Sequence, residues 1–136
     1  MSSRVTEVAG PLVLDAGALI EIESRPRGDT AARCGSAMRA GRPPMLPAVV
    51  FAQVWRGSAR QHALARLRRS CLSVAFTEEV ADGVGRLLAR SDTSDVVDAA
   101  VVLLAVSHGG LVLTSHPGDL ERLASAAGLP LRLIAV

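Results

Sequence analysis

The chain has 136 residues, enough for one compact domain with its own core and too few for two. Hydrophobic residues make up 49% of it, which excludes a disordered chain. With two Phe, one Trp and no Tyr, the core has to be aliphatic. The net charge is only +2, but all fifteen basic residues are Arg, and they are unevenly placed. Thr30 to Thr77 contains no acid and eight Arg, from Arg33, Arg39 and Arg42 through Arg56, Arg60, Arg66, Arg68 and Arg69. Such a block either attracts phosphate or forms a solvated helical face. Cys34 and Cys71 lie far apart with no CxxC or His-rich context, so neither a zinc site nor a disulfide framework follows. Met1 to Gly10 lacks the apolar stretch of a signal peptide. The longest apolar run, Ala99 to Val106, is far shorter than the roughly 20 residues that span a bilayer. A soluble cytoplasmic protein with one domain over residues 1–136 is expected.

In chain order, Pro11 to Leu14 is a continuous apolar run that predicts a buried strand ended by Asp15. Ala16 to Glu23 predicts a short helix, Ser24 to Asp29 a loop, and Thr30 to Ala40 a second helix closed by Gly41. Arg42 to Pro47 is a connector with a short strand at Met45 and Leu46. Pro47 suits the first position of a helix running to Arg56, stopped by Gly57. Ser58 to Arg69 predicts a basic helix and Leu72 to Phe76 a strand. Thr77 caps a helix to Arg90, with Glu78 and Glu79 in its first turn. Ser91 to Ser94 supplies the cap for a helix ending at Ser107, broken by His108-Gly109-Gly110. Leu111 to Thr114 is another buried strand, Pro117 opens a helix to Ala127, and Leu131 to Val136 is the last strand. Strands alternating with helices imply a mostly parallel sheet covered on both faces, with any site outside the carboxyl ends of the strands.

Several polar residues stand at those ends or interrupt apolar runs. Asp15 follows the first strand and is equally a helix N-cap. Asp98 stands among Val96, Val97, Ala99, Ala100, Val101 and Val102, where a carboxylate is costly to bury unless a metal ion or an Arg pairs with it. Asp95 precedes it by one turn and either complements the helix dipole or supports the same site. Gln53 interrupts the apolar helix Ala48 to Trp55 and reads as a core amide bonded to backbone, or as a site residue. Thr114, Ser115 and His116 follow the strand 111–114. Asp119, two residues beyond Pro117, reads as compensation of a helix dipole. Trp55 reads as core or interface, and Arg56 is placed to reach the site or a phosphate.

Four segments in this order together resemble the PIN-domain family, and VapC-type toxins in particular: Leu12 to Ile20, Pro47 to Gly57, Thr93 to Ala99, and Leu111 to Leu120. The resemblance implies a PIN-like three-layer α/β sandwich with a central, mostly parallel sheet. It also implies a cluster of acids that holds Mg²⁺ or Mn²⁺ and hydrolyses RNA. The first and third acids fall on Asp15 and Asp98. The second falls on Gln53 and the fourth on His116, so two of the family's carboxylates are missing. Gln53 and Asp95, with Thr114, Ser115 and His116, are the supporting residues this implies. The RNA backbone is assigned to Arg56, Arg60, Arg66, Arg68 and Arg69. A VapB-type antitoxin and a homodimer are the implied partners. A PIN domain that binds RNA or antitoxin without cleaving is the second expectation. A small-molecule-binding Rossmann or flavodoxin module is a distant third, because Asp15-Ala-Gly-Ala-Leu lacks GxGxxG.

Overall fold

In the computed structural model, residues 10–136 are described; the amino-terminal stretch, read above as lacking a signal peptide, lies outside them up to residue 9. The described residues form five strands and seven α-helices. The strands are β1 (Leu12–Leu14), β2 (Met45–Pro47), β3 (Leu72–Val74), β4 (Leu111–Thr114) and β5 (Arg132–Ala135). The helices are α1 (Ala16–Ser24), α2 (Asp29–Arg39), α3 (Ala48–Val54), α4 (His62–Ser70), α5 (Glu78–Ser91), α6 (Val96–His108) and α7 (Pro117–Ala126). A single 3₁₀ turn, Ala59–Gln61, precedes α4.

The sheet has the order β3-β2-β1-β4-β5, and every pairing is parallel. The register pairs Val13 with Met45 on one side and with Val112 on the other. Burial follows sheet position. The central strands β1 and β4 carry Val13, Leu14, Val112 and Leu113 with no exposed surface, as apolar runs without alternation require. The edge strands are exposed, and Leu72 of β3 keeps 53% of its surface. The core is aliphatic: Leu14, Leu19, Leu46, Leu64, Leu113 and Leu120 are among its largest fully buried side chains. Helix α6 buries Ala99, Ala100, Val101, Val102 and Ala105, small and branched residues that bring it close against the sheet. Both cysteines are free, and burial pushes the Cys34 thiol up to about 11 and that of Cys71 to about 12. Among the described residues, no helix is long and apolar enough to cross a membrane.

Four local expectations need correction. Pro47 is not the first helical residue; it pairs with Val74 and keeps an extended backbone (φ −62°, ψ 132°), so α3 starts at Ala48. That helix ends at Val54 rather than Arg56. The segment 58–69 is not one helix, because Gln61 (φ −100°, ψ 37°) breaks it into a 3₁₀ turn and α4. Gln61, rather than Gln53, is the buried amide of this region, at 5% exposure. Its Oε1 accepts from the Arg56 N–H at 2.9 Å, and its Nε2 donates to the Val54 carbonyl at 3.0 Å and to Glu23 Oε1 at 3.3 Å. The side chain thus satisfies backbone groups left open where α3 stops, a requirement of helix ends.

Candidate acidic site

The strand order places a topological switch point between β1 and β4. From β1 the chain moves outward to β2 and β3, then returns to lay β4 on the other side of β1. The connections leaving the carboxyl ends of β1 and β4 diverge, and a crevice opens there. Asp15 and Thr114 stand at those two strand ends.

Asp15 is 4% exposed and stands at the end of β1 as the N-cap of α1. Its Oδ1 accepts from the Ala16 N–H at 2.8 Å as the N-cap of α1. Its Oδ2 accepts from Thr114 Oγ1 at 2.7 Å, a bond between residues 99 apart in sequence that fixes the carboxylate across the switch point. The Thr114 hydroxyl in turn accepts from the His116 N–H at 3.0 Å. Each Asp15 oxygen thereby has one bond and a second lone pair to spare. Helix α1 lies close to the start of the β4–α7 turn because Gly17 faces it. A Cβ at Gly17 would stand 2.1 Å from Ser115 Oγ and 2.8 Å from the Ser115 nitrogen.

Asp98 is half-buried in the first turn of α6. Burial pushes its carboxyl up to about 6 from the ordinary 3.8, and the nearby charges of Asp95, Asp15 and Asp119 add to the rise. The charged groups that raise it are all aspartates, and no ion pair among the described residues joins it to an Arg. Asp95 is the true N-cap of α6; the Ser91–Ser94 cap expected from sequence is not. Its Oδ1 accepts from the Asp98 N–H at 2.9 Å, which holds the two acids together at the helix start. The positive end of α6 offsets part of the charge gathered there.

From sequence alone, Asp119 reads only as dipole compensation. In the fold it belongs with Asp95 and Asp98: a cleft of about 520 Å³ is lined by these three, by Arg122, and by Ser91, Thr93 and Leu123. The spacing carries the signal: Asp119 stands one helical turn after His116, the position that the family resemblance gives to the fourth acid. His116 is exposed and makes no side-chain cap to α7.

Other expected residues fall elsewhere. Gln53 is exposed on α3, not part of the core, though it stands at the same end of the sheet. Trp55 is half-buried and stacks on Phe51, with ring centroids 5.2 Å apart. The Arg56 guanidinium turns back to donate to the carbonyls of Ala52 at 3.1 Å and Trp55 at 2.7 Å, capping its own helix instead of reaching the acids. Arg68 lies 4.6 Å above the Phe51 ring centre. Arg60, Arg66 and Arg69 are exposed. Among the described residues, no three His, Cys, Asp or Glu side chains converge closely enough to hold a metal ion as they lie.

No protein-family model matches the sequence, and no curated protein matches it. Solved structures do match in shape. A chain of VapBC2 from Rickettsia felis, bound to a DNA fragment from its promoter, superposes with a TM-score of 0.67 at 12% identity, covering 92% of this chain and 98% of that one. A chain of DNA-bound VapBC from Salmonella typhimurium gives a TM-score of 0.67 at 16% identity, over 92% and 97% of the two chains. PAE2754 from Pyrobaculum aerophilum gives 0.57 at 15% identity, over 87% and 86%. At these identities the likeness is one of fold, and the chain has the PIN-domain-like α/β sandwich: a five-stranded parallel sheet between helices, with its acids at the switch point.

Proposed function

We propose that the chain is a VapC-type toxin: a metal-dependent endoribonuclease restrained by a VapB-type antitoxin. The observation that carries this reading is Asp98, a half-buried carboxylate whose charged neighbours are three further aspartates. Gathering like charges at a strand-end crevice costs stability, and such perturbed acids mark functional sites. The donor set is all oxygen and anionic, which suits a hard divalent cation. Mg²⁺ commonly takes one or two carboxylates and fills the rest of its shell with water, so convergence of three protein ligands is not required. Asp15 and Asp98 are the residues that would hold Mg²⁺ or Mn²⁺, with Asp119 as a further acid in place of His116. Bound there, such an ion would supply an acidified water and offset charge on the scissile phosphate.

The chain's own residues prepare this chemistry. Thr114 keeps Asp15 oriented, because its hydroxyl donates to Asp15 Oδ2. Asp95 fixes the start of α6 and with it the Asp98 backbone. The exposed Arg60, Arg66 and Arg69 attract the RNA backbone. The solved VapBC assemblies that match in fold support an antitoxin partner; a homodimer remains part of the same reading.

The test compares wild type with Asp98→Ala on structured RNA, with and without Mn²⁺. Cleavage is expected to need both the metal and Asp98, and equal activity in the variant would sink the assignment. The second reading, a PIN domain that binds without cleaving, is favoured by one observation: no three-ligand cluster is preformed among the described residues. Mn²⁺ titration separates the two, since a ligand that binds only the folded state raises the melting temperature. No shift at millimolar Mn²⁺ selects the second.

A further inference from the structure

The acidic cleft contains one basic side chain among the described residues, Arg122, and neither the family resemblance nor the proposed function gives it a role. It stands on α7, one turn after Asp119, and its Nη2 donates to Asp119 Oδ1. This ion pair is open to solvent, with the Arg and Asp side chains 75% and 52% exposed. Pairs of that kind contribute little to stability and are easily exchanged for another partner. The backbone under them is fixed, because the adjacent Leu123 and Leu120 are buried at 3% and 0% exposure. Arg122 is thus an exposed cation on a buried base at the rim of an anionic cleft.

A polyanion entering that cleft meets Asp95, Asp98 and Asp119 first, and their charge repels it. A metal ion offsets part of this repulsion, but the phosphates flanking the scissile one need a cation of the protein's own. The guanidinium is suited to the task, since its planar fork matches two phosphate oxygens as well as it matches a carboxylate.

Resting on the nuclease reading, we infer that Arg122 is the phosphate-binding side chain of the acidic cleft, held ready by Asp119 and transferred from that carboxylate to a non-bridging oxygen of the RNA backbone. The exchange replaces one anionic partner by another and releases the Asp119 carboxylate from its ion pair. It gives the RNA a defined position relative to Asp98, which the diffuse charge of Arg60, Arg66 and Arg69 does not.

The experiment measures equilibrium binding of a short single-stranded RNA by fluorescence anisotropy over a salt series, with Ca²⁺ present. Wild type, Arg122→Gln, Arg122→Lys and the double variant Asp119→Asn/Arg122→Gln are compared. One lost phosphate contact on a single strand makes the log–log salt slope shallower by about 0.7. Arg122→Gln is expected to show this change, and so is the double variant, in which the net charge matches wild type. Arg122→Lys is expected to keep the wild-type slope and bind more weakly, because an ammonium does not fork. Unchanged affinity and slope in Arg122→Gln, with RNA still bound and cleaved, would overturn this inference and leave the nuclease reading intact. Wild type that neither binds nor cleaves RNA would overturn both. A drop in slope confined to Arg122→Gln and absent from the double variant would trace the effect to net charge and overturn the inference as well.

Discussion

Asp98→Asn is expected to stabilise the free protein at neutral pH. Folding raises the Asp98 carboxyl from 3.8 to about 6, first through burial, then through Asp95 and Asp15. A carboxyl whose folded pKa is raised holds its proton where the unfolded chain has already released it. Between these two values the folded state binds more protons, so stability falls as pH rises. The cost is absent below the unfolded value and complete above the folded one. A shift of this size converts to an upper bound of ~3 kcal/mol. The group is only half-buried, and solvent screening reduces the figure to roughly 1 kcal/mol. For a domain of this length that is about 4 °C in melting temperature. Asn keeps the shape of the side chain, removes the charge, and offers Asp95 a side-chain N–H where a protonated acid would offer its O–H. Thermal melts in EDTA should therefore show the variant about 4 °C above wild type near pH 8, with the gap closing near pH 4. The gap should also shrink in high salt, because part of the cost is Coulombic. A variant less stable than wild type near pH 8, or a gap that ignores pH, would refute the reasoning.

Two further perturbations probe how the site is held. Thr114→Val removes the donor to Asp15 Oδ2 and leaves a buried carboxylate oxygen with one bond fewer. It should cost about 2 kcal/mol in chemical denaturation and weaken Mn²⁺ binding as Asp15 loses its orientation; a loss under ~0.5 kcal/mol would mean the bond is dispensable. Gln61→Leu leaves the Arg56 N–H and the Val54 carbonyl without their partner. It should cost about 1–3 kcal/mol while Gln53→Leu, at an exposed position, stays within about 0.5 kcal/mol. The reverse order, read from urea midpoints, would restore Gln53 as the buried amide.

Much of this protein is legible in its sequence, because the relevant signals are local. Continuous apolar runs at Leu12–Leu14 and Leu111–Thr114 mark central strands, since only a strand covered on both faces dispenses with alternation. Thr77 before Glu78 and Glu79 marks the start of α5, because an N-cap and its dipole complement act within one turn. The placement of Asp15 follows from the same reasoning: an acid directly after a central parallel strand lies at the sheet's carboxyl edge whatever the rest of the chain does. Other features were decided by tertiary structure. Gln53 interrupts an apolar run while Gln61 lies between Arg60 and His62, so local sequence points to the wrong amide as the buried one; the turn at Gly57 (φ +68°) swings Gln61 back under the end of α3. Asp119 looks like ordinary helix-dipole compensation until α7 packs against α6 and brings it beside Asp98. Apolar patterning fixes which strands are central. The company each aspartate keeps depends on long-range pairing of β1 with β4, and such contacts leave no periodic trace in a single sequence.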